Sequence, residues 1–383
     1  MRLIVVGSGI VGAACAYTAS GLGAQVTLVD AAEPGQATAA GAGIICPWTA
    51  SVEDPHWYEF ACAAARHYPL LIAALAELGE GDVSYRQVGA LLLADDQDRL
   101  EQARQRLHDR RAATPEIGDV RLLTGAEAQD LFPPLRPAQA AVHIAGAARV
   151  DGRRLAAALV RAACRNGATA RTGTARLASR TSHGHGGHGS HGSHGSHGSR
   201  ITGVKVDGDL IEADAVVAAA GAWTAQLLEP AGVTVQVVPQ RGQIAHIGLG
   251  PADTSRWPVV LPSATGHYLL AFDDSRVVAG ATREAGSGFD PRVTPAGLAE
   301  VLTNALTVAP GLGAGTHLET RVGLRPVGPD ARPLLGPAGD GLVVATGLGA
   351  SGLTMGPYAG AIAARAALRL PVDIDLAPFD PLR

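Results

Sequence analysis

The sequence predicts an α/β fold, and three stretches carry that prediction. Residues 2 to 30 read strand, glycine turn, helix, strand. Residues 150 to 170, "VDGRRLAAALVRAACRNGATA", return to an alanine-rich helix followed by a strand, and residues 341 to 368 repeat strand, glycine turn and long helix. The 383 residues are 47% hydrophobic and 17% charged, enough for one large or two ordinary domains with a substantial core.

In the first unit, "RLIVV" and "AQVTLVD" are the strands and "GSGIVG" is the turn. Gly7, Gly9 and Gly12 have the GxGxxG spacing, with Ile10 and Val11 opening the helix inside it. The first glycine permits the turn, the second lets backbone approach a pyrophosphate, and the third packs helix on strand. Asp30 ends the second strand 18 residues after Gly12, where an acid can hydrogen-bond a ribose hydroxyl. A strand before, a helix after and an acid at this distance point to dinucleotide binding; a ligand-free tight turn is the alternative reading.

The chain then turns helical through "HWYEFACAAARHYPLLIAALAELG", passes a strand-like "GALLLA", and carries further helices around 95 to 111 and 125 to 131. This reads as an inserted domain. At re-entry, Asp151 is placed to cap the next helix and Gly167 to end it. Residues 183 to 199, "HGHGGHGSHGSHGSHGS", hold six of the 13 histidines. Glycine and serine spacers leave such ligands without fixed geometry, so a hairpin-tip insert is expected here, with metal binding as the rival reading.

"ADAVVAAAGAWT" is a buried-strand run ending at Gly221, flanked by Ala220 and Trp223. In the last unit Gly347, Gly349 and Gly352 repeat GxGxxG, but the chain runs out at "PVDIDLAPFDPLR" before a second strand and acid can follow. The helix that starts there is expected to aim its amino end at the same ligand as the first turn, where it favours negative charge.

Composition excludes other classes. The net charge of −4 and the lack of basic blocks argue against nucleic acid. The cysteines Cys15, Cys46, Cys62 and Cys164 form no CxxC pair, so neither zinc nor a redox dithiol is indicated and no metal site is expected. The apolar run from Leu3 flows straight into the glycine motif, so no signal peptide is expected. No later stretch has the length of a membrane span, and a cytoplasmic protein is expected. Lys205 is the only lysine, against 30 arginines, which removes Schiff-base chemistry.

Taken in order, these motifs resemble the FAD-dependent D-amino acid oxidase superfamily, which includes glycine oxidase, D-amino acid dehydrogenase and sarcosine oxidase. The resemblance rests on the first unit, "VDGRRLAAALVRAACRNGA", "ADAVVAAAGAW", "VVPQRGQ", and above all "VGLRPVGPDARPLLGP" followed by "GLVVATGLGASGLTMGP". It implies a discontinuous Rossmann-like FAD-binding domain (1–50, 148–235 and 320–383) and a mixed α+β substrate domain (51–147 and 236–319). It also implies non-covalent FAD held by Gly7, Gly9, Ile10, Val11, Gly12, Asp30, Gly41, Gly43, Ile44, Ala220, Gly221 and Trp223. From the last unit it adds Gly349, Ala350, Ser351, Gly352, Leu353 and Thr354.

By the same resemblance, Arg325 of "GLRP" grips a substrate carboxylate with a planar two-point fork, and Tyr268 looks over the flavin and helps bind that carboxylate. An internal pair with Asp330 is the alternative for Arg325, although Asp330 also suits a turn cap; an interior tyrosine with a satisfied hydroxyl is the alternative for Tyr268. Neighbouring His267 is expected to face the other way. Trp48 is read as either pocket wall or core. Three departures stand out: Leu348 replaces a frequent histidine, Asp30 replaces the commoner glutamate, and no lysine is available to activate oxygen.

The implied reaction oxidises an amino acid, D-configured or glycine-like, by hydride transfer from Cα to flavin N5, giving an imine, then an oxo acid and ammonia. A secondary amine such as sarcosine or a cyclic imino acid is the alternative substrate. A flavin-binding subunit without turnover is the alternative of another class. The electron acceptor is oxygen or a quinone, with slow reaction toward oxygen expected from the missing lysine, and the oligomeric state is left open, a homo-oligomer included.

Overall fold

The structure is a computed structural model that describes residues 1–94, 96–181, 199–263 and 265–383. Apart from the backbone of Ser199, the histidine-rich insert lies outside the described residues, as do both readings of it.

Two large sheets organise the chain. The first has six strands in the order Leu334–Pro337, Leu342–Thr346, Ala215–Ala218, Arg2–Val6, Gln25–Asp30, Thr169–Thr172. All pairs are parallel except the antiparallel edge formed by Leu334–Pro337. Arg2–Val6 lies centrally and is buried from Leu3 onward, as expected of a strand covered on both faces. Helices Ile10–Gly21, Gly152–Arg165 and Gly352–Ala367 pack together on it, their small residues letting the backbones come close. Asp151 caps its helix as expected, accepting from the N–H groups of Arg153 and Arg154, and Gly167 follows the helix end at φ +93°.

The second sheet has eight strands. Its order is Thr316–Val327, Val238–Gly248, Arg276–Gly280, Tyr268–Phe272, Val259–Pro262, Ala90–Leu93, Ala141–Ile144, Val120–Leu123. It is antiparallel except where Val259–Pro262 runs alongside Ala90–Leu93. Helix Pro295–Val308, capped by Thr294, covers one face.

Residues 320–327, expected with the cofactor-binding segments, pair instead with Val238–Gly248 in this second sheet. The reason is physical: a 12-residue strand needs a long antiparallel partner, and the 11 residues of Val238–Gly248 supply one over nearly their whole length. Trp48 is 1% exposed and belongs to the core, not to a pocket.

Candidate active site

A cavity of about 580 Å³ runs between the two sheets. Gly7, at φ +104°, makes its first turn; a side chain there would collide with the Ala219 carbonyl, so the sequence must place glycine. Gly9, Ile10 and Val11 continue the wall, and Ile10 donates its N–H to the Thr38 hydroxyl at 2.9 Å. Gly349, Ala350, Gly352 and Leu353 open the helix Gly352–Ala367 onto the same space. Two helix amino ends thus face one cavity, which suits an anionic dinucleotide. Gly41, Gly43, Ile44, Ala220, Gly221 and Trp223 complete this part of the wall. The Gly221 carbonyl is pinned by the hydroxyls of Thr224 (2.8 Å) and Thr346 (2.9 Å).

Three expected cofactor residues are off the wall. Gly12 sits behind the turn, where any Cβ would meet the Gly7 carbonyl, so its contribution is packing. Ser351 is not on the cavity surface, and Thr354 donates its hydroxyl to the Ile44 carbonyl at 2.9 Å, tying the last helix to the 41–45 loop.

Asp30 does line the cavity, yet its carboxylate is engaged internally. One oxygen accepts from Ser8 N (2.5 Å) and Ser8 Oγ (2.8 Å), the other from Ala32 N (2.6 Å) and Gln36 Nε2 (2.9 Å). Those four bonds brace the loop after the second strand. Glu33, Gln36 and Arg176 share the wall, and the sequence reading did not single them out.

The other wall is the face of the eight-stranded sheet. Arg325 stands opposite Gln240 in the strand register, and Gly242 lies two residues along on the same face. The guanidinium lies over Gly242: a Cβ added there would come within 2.6 Å of its central carbon. Its Nη1 donates to the Thr282 carbonyl at 2.9 Å and to Gln240 Oε1 at 3.3 Å. Asp330 is not its partner. That carboxylate caps its own turn through Arg332 N at 2.9 Å and pairs with the guanidiniums of Arg332 and Arg383.

Burial draws the Arg325 pKa below the ordinary arginine value; Tyr268 opposes this and the nearby Arg283 reinforces it. Tyr268 also lines the cavity, and burial raises its phenol pKa against the pull of Arg325 and Arg283. His267 points the opposite way, toward Glu300 at 3.4 Å on the covering helix.

Arg283, missed in the sequence reading, lines the same space. It donates to the Gly266 carbonyl at 3.2 Å, and among the described residues neither it nor Arg325 has a carboxylate partner. The missing lysine therefore does not leave the cavity without positive charge. The signal that could have found Arg283 is the hairpin register: Tyr268 pairs with Gly280, and the chain past Gly280 still follows the neighbouring strand, with Arg241 opposite Glu284.

These features agree with the likeness to known proteins. The family model of the DAO FAD-dependent oxidoreductases matches residues 2–366. The chain is 44% identical to the uncharacterized oxidoreductase YurR of Bacillus subtilis, over 99% of this chain and 98% of that protein. It is 30% identical to glycine oxidase of Pseudomonas aeruginosa, over 99% and 98% respectively. Among solved structures it resembles the iminodiacetate oxidase IdaA from Chelativorans sp. BNC1, with 47% identity, 99% of both chains covered and a TM-score of 0.91. A cavity fitted to a dinucleotide, two glycine turns in order along the chain and a family match over nearly all of it lead to one assignment: the chain belongs to the DAO family of FAD-dependent oxidoreductases.

Proposed function

We propose that this enzyme oxidises the Cα–N bond of a small amine carrying two carboxylates, with iminodiacetate as the model substrate. The observation that carries the reading is the pair of guanidiniums, Arg325 and Arg283, that line one cavity with no carboxylate partner among the described residues. A cation largely shielded from water without a counter-charge, as Arg325 is, is costly, and an anionic substrate offsets that cost. Arg283, exposed on the cavity side, adds a second cation to the same space, and together the two favour a dianion. The resemblance to iminodiacetate oxidase supports the same substrate class.

FAD held by the glycine turns would supply the two-electron sink for the hydride of the substrate Cα, so that the amine would become an imine that water splits into an oxo acid and the remaining amine. The residues of the chain do the rest. Arg325 holds one carboxylate with its planar fork, Tyr268 stands beside it, and Arg283 takes the second. Two guanidiniums near the nitrogen also disfavour its ammonium form, so the amine binds with a free lone pair and no catalytic base is needed. The same cations suit reduction of oxygen, where negative charge develops, and we propose oxygen as the acceptor.

A monocarboxylate amino acid such as glycine is the second reading, favoured by the likeness to glycine oxidase. Perturbation of the flavin spectrum by unreactive ethers separates the two. Oxydiacetate, the ether counterpart of iminodiacetate, should bind at least tenfold more tightly than methoxyacetate; equal affinity would favour the monocarboxylate reading.

A further inference from the structure

The segment "PQRGQ", residues 239–243, alternates across the second sheet. Gly242 lines the cavity and Gln240, on the same face, accepts from Arg325, whereas Arg241 and Gln243 face the opposite side, where Gln243 meets helix Pro295–Val308. Gln243 is fully buried and its amide is fully engaged. Its oxygen accepts Thr294 N–H at 3.0 Å, and its nitrogen donates to Thr294 Oγ1 at 2.8 Å and Glu284 Oε1 at 2.7 Å. Gly297, in the first turn of the helix, makes the space: a methyl group there would lie 2.0 Å from Gln243 Nε2.

Glu284 passes the connection on. Its Oε2 accepts from Arg241 Nε at 3.0 Å and Nη2 at 2.7 Å, and its Oε1 accepts the Thr282 hydroxyl at 2.7 Å. That hydroxyl in turn accepts the Gln243 backbone N–H at 2.9 Å. Thr282, also fully buried, spans the sheet, because its hydroxyl belongs to this rear network while its carbonyl accepts Arg325 Nη1 at 2.9 Å in front. Arg283 lies between Thr282 and Glu284 in the chain, so both of its neighbours are anchored from behind.

We propose that Gln243 and Thr282 are positioning residues for the carboxylate clamp, setting Arg325 and Arg283 from the rear face of the sheet without touching substrate. The inference rests on the reading that Arg325 binds a carboxylate. A fixed carbonyl acceptor orients a planar guanidinium, and closely satisfied buried networks hold such acceptors to a single position.

The test uses the FAD-loaded enzyme and methoxyacetate binding, read from the flavin absorbance change, with KM and kcat measured separately. Thr282→Val removes the hydroxyl at constant shape; Thr282→Ser keeps it; Gly297→Ala displaces the Gln243 amide from a helix that does not line the cavity. Thr282→Val and Gly297→Ala should each weaken probe binding at least fivefold and raise KM more than they lower kcat. Thr282→Ser should stay within twofold of the parent protein. Should Thr282→Val fail to retain FAD, the pairing of Thr282→Ser with Gly297→Ala decides the matter. Parent-like binding by Gly297→Ala, or equal loss in the Ser and Val variants, overturns the inference. Arg325→Met in parallel separates the two failures: if it abolishes probe binding while the rear-face variants do not, only the positioning role falls, and if it binds the probe unchanged, the carboxylate reading itself falls.

Discussion

Replacing Arg283 by glutamine removes one of the two cavity guanidiniums beside Tyr268 while keeping a polar side chain of similar reach. The expected size follows from how the two arginines are held. Arg325 is largely shielded and has two internal acceptors, whereas Arg283 is exposed on the cavity side, with one bond to the Gly266 carbonyl at 3.2 Å. Hydrogen bonds to charged groups contribute roughly 1.5–3 kcal/mol, and exposure places Arg283 near the lower figure. About 1.4 kcal/mol is a factor of ten, so Arg283→Gln should lower kcat/KM for iminodiacetate about tenfold. A monocarboxylate such as glycine or sarcosine never reaches the second cation, and its kcat/KM should change less than threefold. The assay is initial-rate turnover of both substrates by parent and variant at matched FAD content. Equal losses for the two substrates would refute the reasoning, because Arg283 would then act on the site as a whole and not on a second carboxylate.

Arg325→Lys should lower kcat/KM at least tenfold, roughly 1.4 kcal/mol, because an ammonium cannot reproduce the two-point fork; steady-state kinetics with a normal flavin spectrum checks it. Acid precipitation should release intact FAD into the supernatant, and yellow colour staying with the precipitated chain would contradict non-covalent binding. A pH effect on stability is expected from His246, which is 1% exposed. Burial, then Arg321 and Arg276, lower its pKa to about 3 while Glu319 opposes and Arg153 adds a little. The unfolded imidazole takes a proton near pH 6.5 and the folded one does not until about pH 3, so its contribution is fully present above 6.5 and is lost as pH falls toward 3. The slope is at most about 1.4 kcal/mol per pH unit, and His246→Gln should flatten the fall of Tm between pH 6 and 4; an unchanged slope would exclude His246 as its source.

Local features were legible in the sequence because their causes are local. The Gly7 turn needs a backbone that only glycine adopts easily, and the Asp151 cap is a contact between a side chain and the backbone two and three residues on. What required the third dimension was which side of a wall each residue occupies. Gly12, Ser351 and Thr354 lie in or beside the two glycine motifs but do not line the cavity, and Trp48 follows a wall-forming loop yet turns into the core. The strand through Arg325 was hidden because glycine and proline mask its extended character, and its sheet is decided by a partner about 80 residues earlier. Arg283 was hidden for a related reason, since only the continued pairing beyond Gly280 brings it into the cavity beside Arg325.

The central claim is that two guanidiniums select a dicarboxylate amine for oxidation, and anaerobic stopped-flow reduction of the bound flavin tests it most directly. Mixed with iminodiacetate, glycine, sarcosine and D-alanine in separate shots, the flavin should bleach fully and fastest with iminodiacetate, by at least tenfold in the second-order rate. Bleaching by glycine or D-alanine as fast as or faster than by iminodiacetate would contradict the claim.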